Sequence, residues 1–263
     1  MKDSSEQVVM DQLVEFSLDL ADAAKAVAMS YFRNRIEVEH KSDLSPVTVA
    51  DREVELIMRE KITQQYPDHG ILGEEHGLEN SNFPEIWVLD PIDGTKSFIT
   101  GMPTFGTLIA YLKQGRPVIS VIDMPAMGER WLGVEGKTTT RNSEPCKTSS
   151  CKNLSQANIY STSPDCFGAH ELEIFNIVSQ KALLRRFGGD CYSYGLLASG
   201  YIDAVIEASL EPYDYLALVP VIEGAGGVIT DWEGKPLSTH SDGRVIAAAT
   251  VELHTEILHL IRQ

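Results

Sequence analysis

Short apolar runs in the first half of the chain place the strongest constraint on its fold. They span residues 86–89, 107–112, 118–122 and 131–134. Runs this short, bounded by polar and glycine-containing segments, are typical of buried strands and are too short for helices. The second and third runs are separated by residues 113–116, which include a glycine and predict a hairpin turn. We therefore expect a sheet in this part of the chain.

Helices are predicted on both sides of these runs. Apolar residues recur every three or four positions in the segment 13–31, which is the spacing of one helix face. Thr48 and Asp51 have the spacing of a capping box, so a second helix should begin there and end near Tyr66. A further amphipathic helix is predicted at residues 253–261, where the chain closes.

The second half alternates between the two kinds of element. Helices are predicted at 171–180, 194–199 and 216–223, and strands at 204–206, 227–230 and 245–249. Strands interleaved with helices predict an α/β or α+β fold with mixed sheets. A polar segment rich in serine and threonine lies at 138–153. We interpret residues 1–145 as an N-terminal α+β half and residues 146–263 as a C-terminal α/β half of one catalytic unit.

The charge of the chain argues against two kinds of partner. The chain has 22 basic and 38 acidic side chains, a formal charge of −16. Binding to a phosphate backbone requires clustered lysine and arginine, so we expect no nucleic-acid partner. We also expect no membrane partner, because no apolar run approaches the roughly 18 residues of a membrane span. The polar, acidic N-terminus is unlike a signal peptide, so we expect a cytoplasmic protein.

Several familiar active-site and nucleotide-binding motifs are absent from the sequence. The Gly-Lys-Thr at 136–138 lacks the earlier glycine of a P-loop, and the glycines at 224–227 precede a predicted strand instead of following one. There is no H-E-x-x-H, G-x-S-x-G or C-x-x-C motif. Nucleotide-loop chemistry, hydride transfer and serine hydrolysis therefore lose support, and we expect the four cysteines to be free thiols.

Acidic residues follow the first apolar run directly. The segment 90–95 reads Asp-Pro-Ile-Asp-Gly-Thr, so it carries Asp90 and Asp93 three residues apart. Two carboxylates that face one point repel each other unless a proton or a cation separates them. A hard divalent cation resolves the repulsion, and Mg²⁺ prefers one or two carboxylates with water and substrate phosphate. The alternative is that Asp90 is an N-cap and Asp93 is a solvated side chain.

The same segment also has the features of an anion site. Gly94 and Thr95 resemble the opening of a helix, where free backbone N–H groups bind phosphate. Two further acids support a functional interpretation. Glu74 follows a short apolar stretch, and Asp214 precedes the predicted helix at 216–223. The alternative for Asp214 is a plain N-cap.

These blocks resemble the signature blocks of the inositol monophosphatase superfamily. The matching stretches are residues 73–75, 87–95, 212–214 and 223–227. They occur in the family's order and span nearly the whole chain. The resemblance implies a layered αβαβα fold with mixed sheets, Mg²⁺-dependent phosphomonoesterase activity and a homodimer.

The resemblance also implies the ligands of two or three Mg²⁺ ions. Glu74, Asp90 and the backbone carbonyl of Ile92 would hold the first ion. Asp90, Asp93 and Asp214 would hold the second, with Asp90 bridging the two. Such a pair of ions, about 3.5–4 Å apart, activates a water on one side and stabilises the leaving alkoxide on the other.

The remaining roles that the resemblance implies concern the water and the phosphate. The stretch 41–51 resembles an early block of the family and places Asp51 beside Thr95. These two residues would orient and deprotonate the attacking water, with Glu74 as the third member of the catalytic set. Gly94 and Thr95 would bind the phosphate.

The finer resemblance is to the histidinol-phosphate phosphatase branch of the family. It rests on residues 93–101, 103–107, 189–196 and 210–215. Histidinol carries an amine and an imidazole, so an acidic outer pocket suits it. By analogy Glu207 faces the leaving group, and we predict that Asp190 joins it in binding the ammonium; a loop acid without function is the alternative for Asp190. The expected reaction is hydrolysis of L-histidinol phosphate in histidine biosynthesis, and the alternative is an inositol monophosphatase or a broad sugar- or nucleotide-phosphate phosphatase.

Overall fold

The computed structural model describes residues 4–34, 38–40, 46–80 and 82–263. Residues 41–45 of the early sequence block therefore lie outside the described residues. The first elements along the chain are α1 (Ser4–Tyr31), β1 (Val38–His40), β2 (Pro46–Thr48) and α2 (Val49–Gln65). Strands β1 and β2 pair antiparallel as a small sheet of their own.

Helix α2 begins as its capping box predicts. The hydroxyl of Thr48, the N-cap residue, accepts a hydrogen bond from Ala50 N at 3.1 Å. The carboxylate of Asp51 in turn accepts one from Thr48 N at 2.8 Å. These reciprocal bonds satisfy two backbone donors that a helix start leaves open. The capping box and the predicted end near Tyr66 are both confirmed.

The larger sheet lies in the centre of the first half. In the part of the chain that the structure describes, it has eight strands in the order β10-β9-β8-β7-β6-β5-β3-β4. Its elements are β3 (Gly70–Gly73), β4 (Gly77–Glu79), β5 (Glu85–Asp93), β6 (Gly106–Lys113), β7 (Arg116–Met124), β8 (Glu129–Val134), β9 (Thr140–Arg141) and β10 (Glu144–Pro145), with helix α3 (Thr95–Ile99) after β5. Strands β3 and β5 are parallel, and the other pairs are antiparallel. The predicted strands and the hairpin at 113–116 are confirmed.

Strand β5 is longer than the sequence predicts. The expected strand ends at residue 89 and continues as a loop, whereas the structure extends β5 to Asp93, with a register shift between Asp90 and Asp93. Pro91 has no N–H and cannot donate to a ladder. Its carbonyl instead accepts a hydrogen bond from the Thr107 hydroxyl of β6 at 2.9 Å. The irregularity therefore lies within the strand, and it is held to its neighbour by a side chain.

The second half forms a smaller mixed sheet. Its five strands among the described residues have the order β12-β11-β13-β15-β14. The elements in chain order are β11 (Asn158–Ser161), α4 (Ala169–Ser179), β12 (Leu184–Phe187), α5 (Tyr192–Ala198), β13 (Ala204–Glu207), α6 (Pro212–Tyr215), α7 (Leu218–Gly224), β14 (Val228–Asp231), β15 (Val245–Ala248) and α8 (Val251–Ile261). Strands β11 and β12 were not predicted, whereas the other predicted elements are present with small shifts at their ends.

Three apolar clusters hold five layers together. Helices α1 and α2 pack on one face of the larger sheet, where Trp87 and Leu89 of β5 point. Val88 of the same strand points to the opposite face, which packs on α5, α7 and the smaller sheet. Helices α4 and α8 cover the far face of that sheet through Phe175 and Ile257. The predicted αβαβα layering is confirmed.

The middle cluster contains residues from both predicted halves of the chain, so one continuous core joins them. The division into 1–145 and 146–263 stays a prediction. All four cysteines are free. Among the described helices, none combines the length and the apolar character that crossing a membrane requires.

Candidate active site

Three carboxylates from two distant parts of the chain meet where β5 ends. Asp90 and Asp93 lie on β5, and Asp214 lies on α6. Each offers one oxygen atom, and the three oxygens lie within 4.8 Å of one another. The structure thus brings together three of the four acids that the sequence suggested as metal ligands.

The backbone around Asp214 explains its position. Pro212 begins α6, Glu211 is the N-cap residue and Asp214 is the third residue of the helix. Asp214 Oδ2 accepts a hydrogen bond from Glu211 N at 2.7 Å. The alternative that Asp214 is an N-cap is therefore wrong. The corresponding alternative for Asp90 is also wrong, because Asp90 lies inside β5 and Gly94 is the N-cap of α3.

Glu74 lies in the turn between β3 and β4, beside the three carboxylates. Its backbone N–H donates to the carbonyl of Leu89 on β5 at 3.2 Å, which fixes the turn against the strand. The charge of its side chain raises the pKa of both Asp90 and Asp214. Glu74 is therefore the fourth acid of the cluster.

The electrostatics of the cluster are unfavourable as it stands. Burial raises the pKa of Asp90 well above its usual range, and neighbouring acids raise it further. In decreasing order of effect these acids are Glu74, Asp93, Asp214 and Asp51. Burial and the charge of Asp93 likewise raise the pKa of Asp214 well above its usual range. Buried carboxylates at this separation need a proton or a cation between them.

The residues fit a hard divalent cation. Asp90 Oδ1 is buried and, within the described ranges, accepts no hydrogen bond. An ionised oxygen in that state is costly unless a cation takes the place of the missing donor. All donors of the cluster are carboxylate oxygens, with the Ile92 carbonyl on the same strand, and Mg²⁺ takes oxygen ligands of this kind.

Gly94 and Thr95 join β5 to α3. Gly94 has a left-handed backbone, with φ of 81°, which lets the chain turn sharply from the strand into the helix. Thr95 Oγ1 donates a hydrogen bond to the carbonyl of Ile92 at 3.2 Å. Helix α3 has only 5 residues and therefore no long helix dipole. An anion would be bound by its first backbone N–H groups.

Asp51 reaches the cluster from α2. Its Oδ2 accepts hydrogen bonds from both the backbone N–H and the hydroxyl of Thr48, at 2.8 and 2.5 Å. The charge of Asp51 contributes to the raised pKa of Asp90. The capping box that starts the helix therefore also orients the carboxylate beside the cluster.

Asp190 lies directly over the turn at Gly94. A Cβ on residue 94 would come within 2.9 Å of Asp190 Cγ. Asp190 Oδ2 accepts a hydrogen bond from the Ser97 hydroxyl at 2.7 Å. Its own backbone is left-handed, with φ of 46°, an uncommon state for a residue with a side chain. Burial raises the pKa of Asp190, while Ser97 and the charge of Lys96 lower it.

Glu207 ends β13 on the same side of the site. It is buried, and both of its carboxylate oxygens have partners. Oε1 accepts from Thr162 N at 2.7 Å, and Oε2 accepts from the Tyr194 hydroxyl at 2.8 Å. Burial raises the pKa of Glu207 against these two hydrogen bonds, and the charge of Asp190 adds to the effect.

Asp93 connects the cluster to the outer acids. Its Oδ2 accepts a hydrogen bond from Cys191 N at 2.7 Å. Burial, followed by the charge of Asp190, raises the pKa of Asp93 to about 7, and Glu207 raises it as well. Burial is the main cause of the raised pKa of Asp93, Asp190 and Glu207, and the charge of Asp190 raises the pKa of the other two.

Sequence reasoning did not find the groups that hold these acids. The Thr162 amide and the Tyr194 hydroxyl on Glu207 carry no local signal, because one follows β11 and the other lies on α5. Glu55 could have been found from the sequence, since it lies one helical turn after Asp51 in a predicted helix. The structure shows that it is buried. It accepts hydrogen bonds from Glu75 N and His76 N, next to Glu74.

Comparison with known proteins gives a family. A family model described as "Inositol monophosphatase family" matches residues 9–263. The chain is 46% identical over 258 residues to the "Bifunctional phosphatase IMPL2, chloroplastic" of Arabidopsis thaliana, covering 95% of this chain and 75% of that one. It is 34% identical over 239 residues to a "Histidinol-phosphatase" of Chlorobaculum parvum, covering 89% and 91%.

A solved structure agrees with these relatives. An inositol monophosphatase from Zymomonas mobilis has 41% sequence identity and a TM-score of 0.89, with 96% of this chain and 98% of that chain covered. The chain therefore belongs to the inositol monophosphatase family and is a phosphoric monoester hydrolase. Enzymes of this family generally depend on Mg²⁺.

Proposed function

We propose that this member of the inositol monophosphatase family hydrolyses L-histidinol phosphate to L-histidinol and phosphate, a reaction of histidine biosynthesis. One observation supports histidinol phosphate as the substrate. Asp190 lies over the Gly94 turn, and its charge reaches both Asp93 and Glu207, so three acids gather on this side of the site. A leaving group with an ammonium suits such a group of acids, whereas a neutral polyol offers them no charge to pair with.

The metal ligands of the proposal are Glu74, Asp90, the carbonyl of Ile92, Asp93 and Asp214. We assign them two or three Mg²⁺ ions. Bound there, the ions would supply a water activated for attack and the neutralisation of charge on the leaving oxygen. Support comes from the proximity of the carboxylates and from the buried Asp90 Oδ1.

Asp51 and Thr95 are the proton-handling residues, with Glu74 in the same catalytic set. For this role the Thr95 hydroxyl must accept a proton from water and direct its own toward Asp51. In the structure that hydroxyl donates to the Ile92 carbonyl, so the relay requires it to rotate. Asp51 keeps one oxygen on the N-cap of α2, which fixes the carboxylate while the other oxygen serves the relay.

Gly94 and Thr95 bind the phosphate in this proposal. The first backbone N–H groups of α3 have no acceptor within the helix, so they can hold non-bridging oxygens. The glycine has a second function, because a side chain there would collide with Asp190. Phosphoryl transfer asks the protein mainly for position and charge stabilisation, and both are available at this turn.

Asp190 and Glu207 are the residues that we assign to the ammonium of histidinol. Each is held in place by a hydroxyl donor, Ser97 in one case and Tyr194 in the other. A carboxylate whose orientation is already fixed loses little freedom when the substrate binds. In this proposal the two carboxylates bind the ammonium end of the substrate, and the neighbouring Gly94 turn binds its phosphate end.

A second candidate is an inositol monophosphatase or a broad sugar- or nucleotide-phosphate phosphatase. A specific observation favours it. Both oxygens of Glu207 already accept hydrogen bonds from the protein, which leaves fewer free lone pairs for an ammonium. The relatives named above as an inositol monophosphatase and as a bifunctional phosphatase are consistent with this candidate.

The setting of the enzyme is part of the proposal. We assign it to the cytoplasm as a homodimer, with a small phosphorylated substrate and with no nucleic-acid or membrane partner. The formal charge of −16 supports the absence of an anionic partner of either kind.

Phosphate release in Mg²⁺ from three substrates tests the proposal. They are L-histidinol phosphate, inositol 1-phosphate and adenosine 3′,5′-bisphosphate. We expect kcat/KM to be highest for histidinol phosphate by at least about tenfold, the value of one hydrogen bond to a charged group. A preference for inositol phosphate would overturn the substrate and leave the phosphatase chemistry intact.

A further inference from the structure

Helix α2 carries three charged residues one turn apart on its buried face. Asp51, Glu55 and Arg59 are spaced by four, so they lie in one row along the helix. All three are buried. The first belongs to the proposed proton relay, whereas the other two have no place in the chemistry described above.

Glu55 holds the turn that follows Glu74. Its Oε2 accepts a hydrogen bond from Glu75 N at 2.7 Å, and its Oε1 accepts one from His76 N at 3.1 Å. Two consecutive backbone N–H groups of the turn between β3 and β4 therefore end on one carboxylate. Charge-assisted bonds of this kind are stronger than those between neutral groups.

Gly73 allows this approach. A Cβ on residue 73 would overlap the Glu55 carboxylate, so any larger residue before Glu74 would displace that carboxylate. Arg59 completes the arrangement, since its Nε donates to Glu55 Oε1 at 2.7 Å and its Nη2 donates to the carbonyl of Gly77. The turn is thus bound to α2 at both of its ends.

We propose that Glu55 is a positioning residue that sets Glu74 in register with Asp90, with Arg59 as its support. The inference rests on the proposed function only in taking Glu74 as a metal ligand. Because Asp51 lies one turn earlier on the same helix, α2 fixes the proton relay and the Glu74 turn relative to each other. A buried ion pair is weak evidence for stability, so the pair of Glu55 and Arg59 at this place suits a role in positioning.

Mn²⁺ binding to the metal-free protein, followed by electron paramagnetic resonance, tests the proposal without turnover. Glu55→Gln keeps the shape of the side chain but leaves one acceptor oxygen for two N–H donors and removes the pair with Arg59. We expect its Kd for Mn²⁺ to rise at least about tenfold, the usual effect of losing a residue that orients a metal ligand. Hydrogen exchange at the amides of Glu75 and His76 should become faster in the same variant.

Asp123→Asn is the matched control. Asp123 is also a buried carboxylate paired with an arginine, since Arg130 Nε lies 2.6 Å from its Oδ1, and among the described residues its side chain makes no hydrogen bond or ion pair with the Glu74 turn. This variant should lose thermal stability much as Glu55→Gln does, with a Kd for Mn²⁺ within about twofold of the unmodified chain. An equal loss of Mn²⁺ affinity in both variants would show that the effect is general destabilisation and would overturn the proposal.

Glu74→Gln separates this inference from the proposed function. If it leaves Mn²⁺ binding unchanged, the assignment of Glu74 as a ligand fails. If it weakens binding while a folded Glu55→Gln variant binds Mn²⁺ as the unmodified chain does, the positioning role alone is wrong. Should Glu55→Gln not fold, Arg59→Lys replaces it, because lysine cannot reach both Glu55 and the Gly77 carbonyl as the guanidinium does. Unchanged Mn²⁺ affinity in a folded Arg59→Lys variant would then overturn the proposal.

Discussion

The hydroxyl of Ser97 donates a hydrogen bond to Asp190 Oδ2 at 2.7 Å, which links helix α3 to the segment before α5. The hydroxyl of Thr104 donates in turn to Ser97 Oγ at 3.2 Å. Elements from the two sheet regions are therefore joined by a chain of hydroxyls at the point where phosphate and leaving group would meet. The Ser97 hydroxyl therefore helps to fix the Asp190 carboxylate, whose own backbone is left-handed.

Ser97→Ala should reduce selectivity for an amino-alcohol phosphate. Without the hydroxyl, Asp190 loses a donor that lowers its pKa, so its charged form becomes less favourable. We expect kcat/KM for histidinol phosphate to fall about tenfold, whereas kcat/KM for inositol 1-phosphate should change little. Thr100→Ala is the control, because the Thr100 hydroxyl in the same segment donates to the carbonyl of Lys96 instead. Equal losses for both substrates would contradict a role for Ser97 in selectivity.

Glu207→Gln should weaken the reaction of histidinol phosphate more than that of a small neutral phosphomonoester. The amide oxygen can still accept from Thr162 N, so the fold should be kept while the charge is lost. We expect a fall of about tenfold or more in kcat/KM for histidinol phosphate, from steady-state kinetics.

Asp203→Asn provides the matched comparison for Glu207. Asp203 is also buried and also accepts a backbone bond, from Asn158 N at 2.8 Å, but it precedes β13 whereas Glu207 ends it. Its replacement should lower stability and leave unchanged the ratio of kcat/KM for histidinol phosphate to kcat/KM for the neutral phosphomonoester. A change of that ratio in Asp203→Asn would show that the effect comes from the sheet and not from the substrate site.

Asp93→Asn should abolish turnover without unfolding the chain. The asparagine can keep the hydrogen bond from Cys191 N through its amide oxygen, but it loses the negative charge that the proposed metal site requires. We expect kcat to fall by more than about 100-fold, the upper range for changes of residues around a metal. Circular dichroism should be unchanged. Retained activity would disprove the assignment of Asp93.

The raised pKa of Asp93 predicts how the metal-free protein responds to pH. This pKa is about 7 in the folded chain, against 3.8 for an unperturbed aspartate. Between these values the folded chain holds more protons than the unfolded one, so the free energy of unfolding decreases as pH rises toward about 7. Metal-free Asp93→Asn should therefore lose less stability than the unmodified chain over this range, as measured by denaturant unfolding.

Mg²⁺ reverses this dependence. The ion takes the place of the proton, so its binding to the unmodified chain should release protons and weaken about tenfold per pH unit below pH 7 for each proton displaced. Calorimetric titration in buffers of different ionisation enthalpy counts the protons released. Binding without proton release near neutral pH would contradict the raised pKa values of the cluster.

Local patterns in the sequence predicted most of the fold. The apolar runs of β5 to β8 and the capping box of α2 are determined by neighbouring residues, and both were predicted correctly. Strands β11 and β12 were missed because they are not alternating apolar segments. Asn158–Ser161 mixes polar and apolar residues, and Leu184–Phe187 is an edge strand with two arginines and an exposed leucine. Their parallel pairing depends on the rest of the sheet.

Only those site residues that belong to short sequence motifs could be predicted. Asp90, Asp93 and Asp214 were found because short blocks carry them, and the structure brings them together. The extended part of β5 at Pro91 is held by a hydroxyl of β6, and the hydrogen bonds of Glu55 to the Glu74 turn depend on the packing of α2 against β5. Contacts between elements far apart in the chain leave no local pattern to detect.

The most direct test of the acidic pocket compares L-histidinol phosphate with the analogue that lacks only its amino group. Phosphate, imidazole and metal requirements are the same for both, so kcat/KM isolates the ammonium. We predict that kcat/KM falls at least about 100-fold for the analogue, because the charges of Asp190 and Glu207 are then left without a substrate cation to offset them. Equal kcat/KM for the two substrates would contradict the assignment of Asp190 and Glu207.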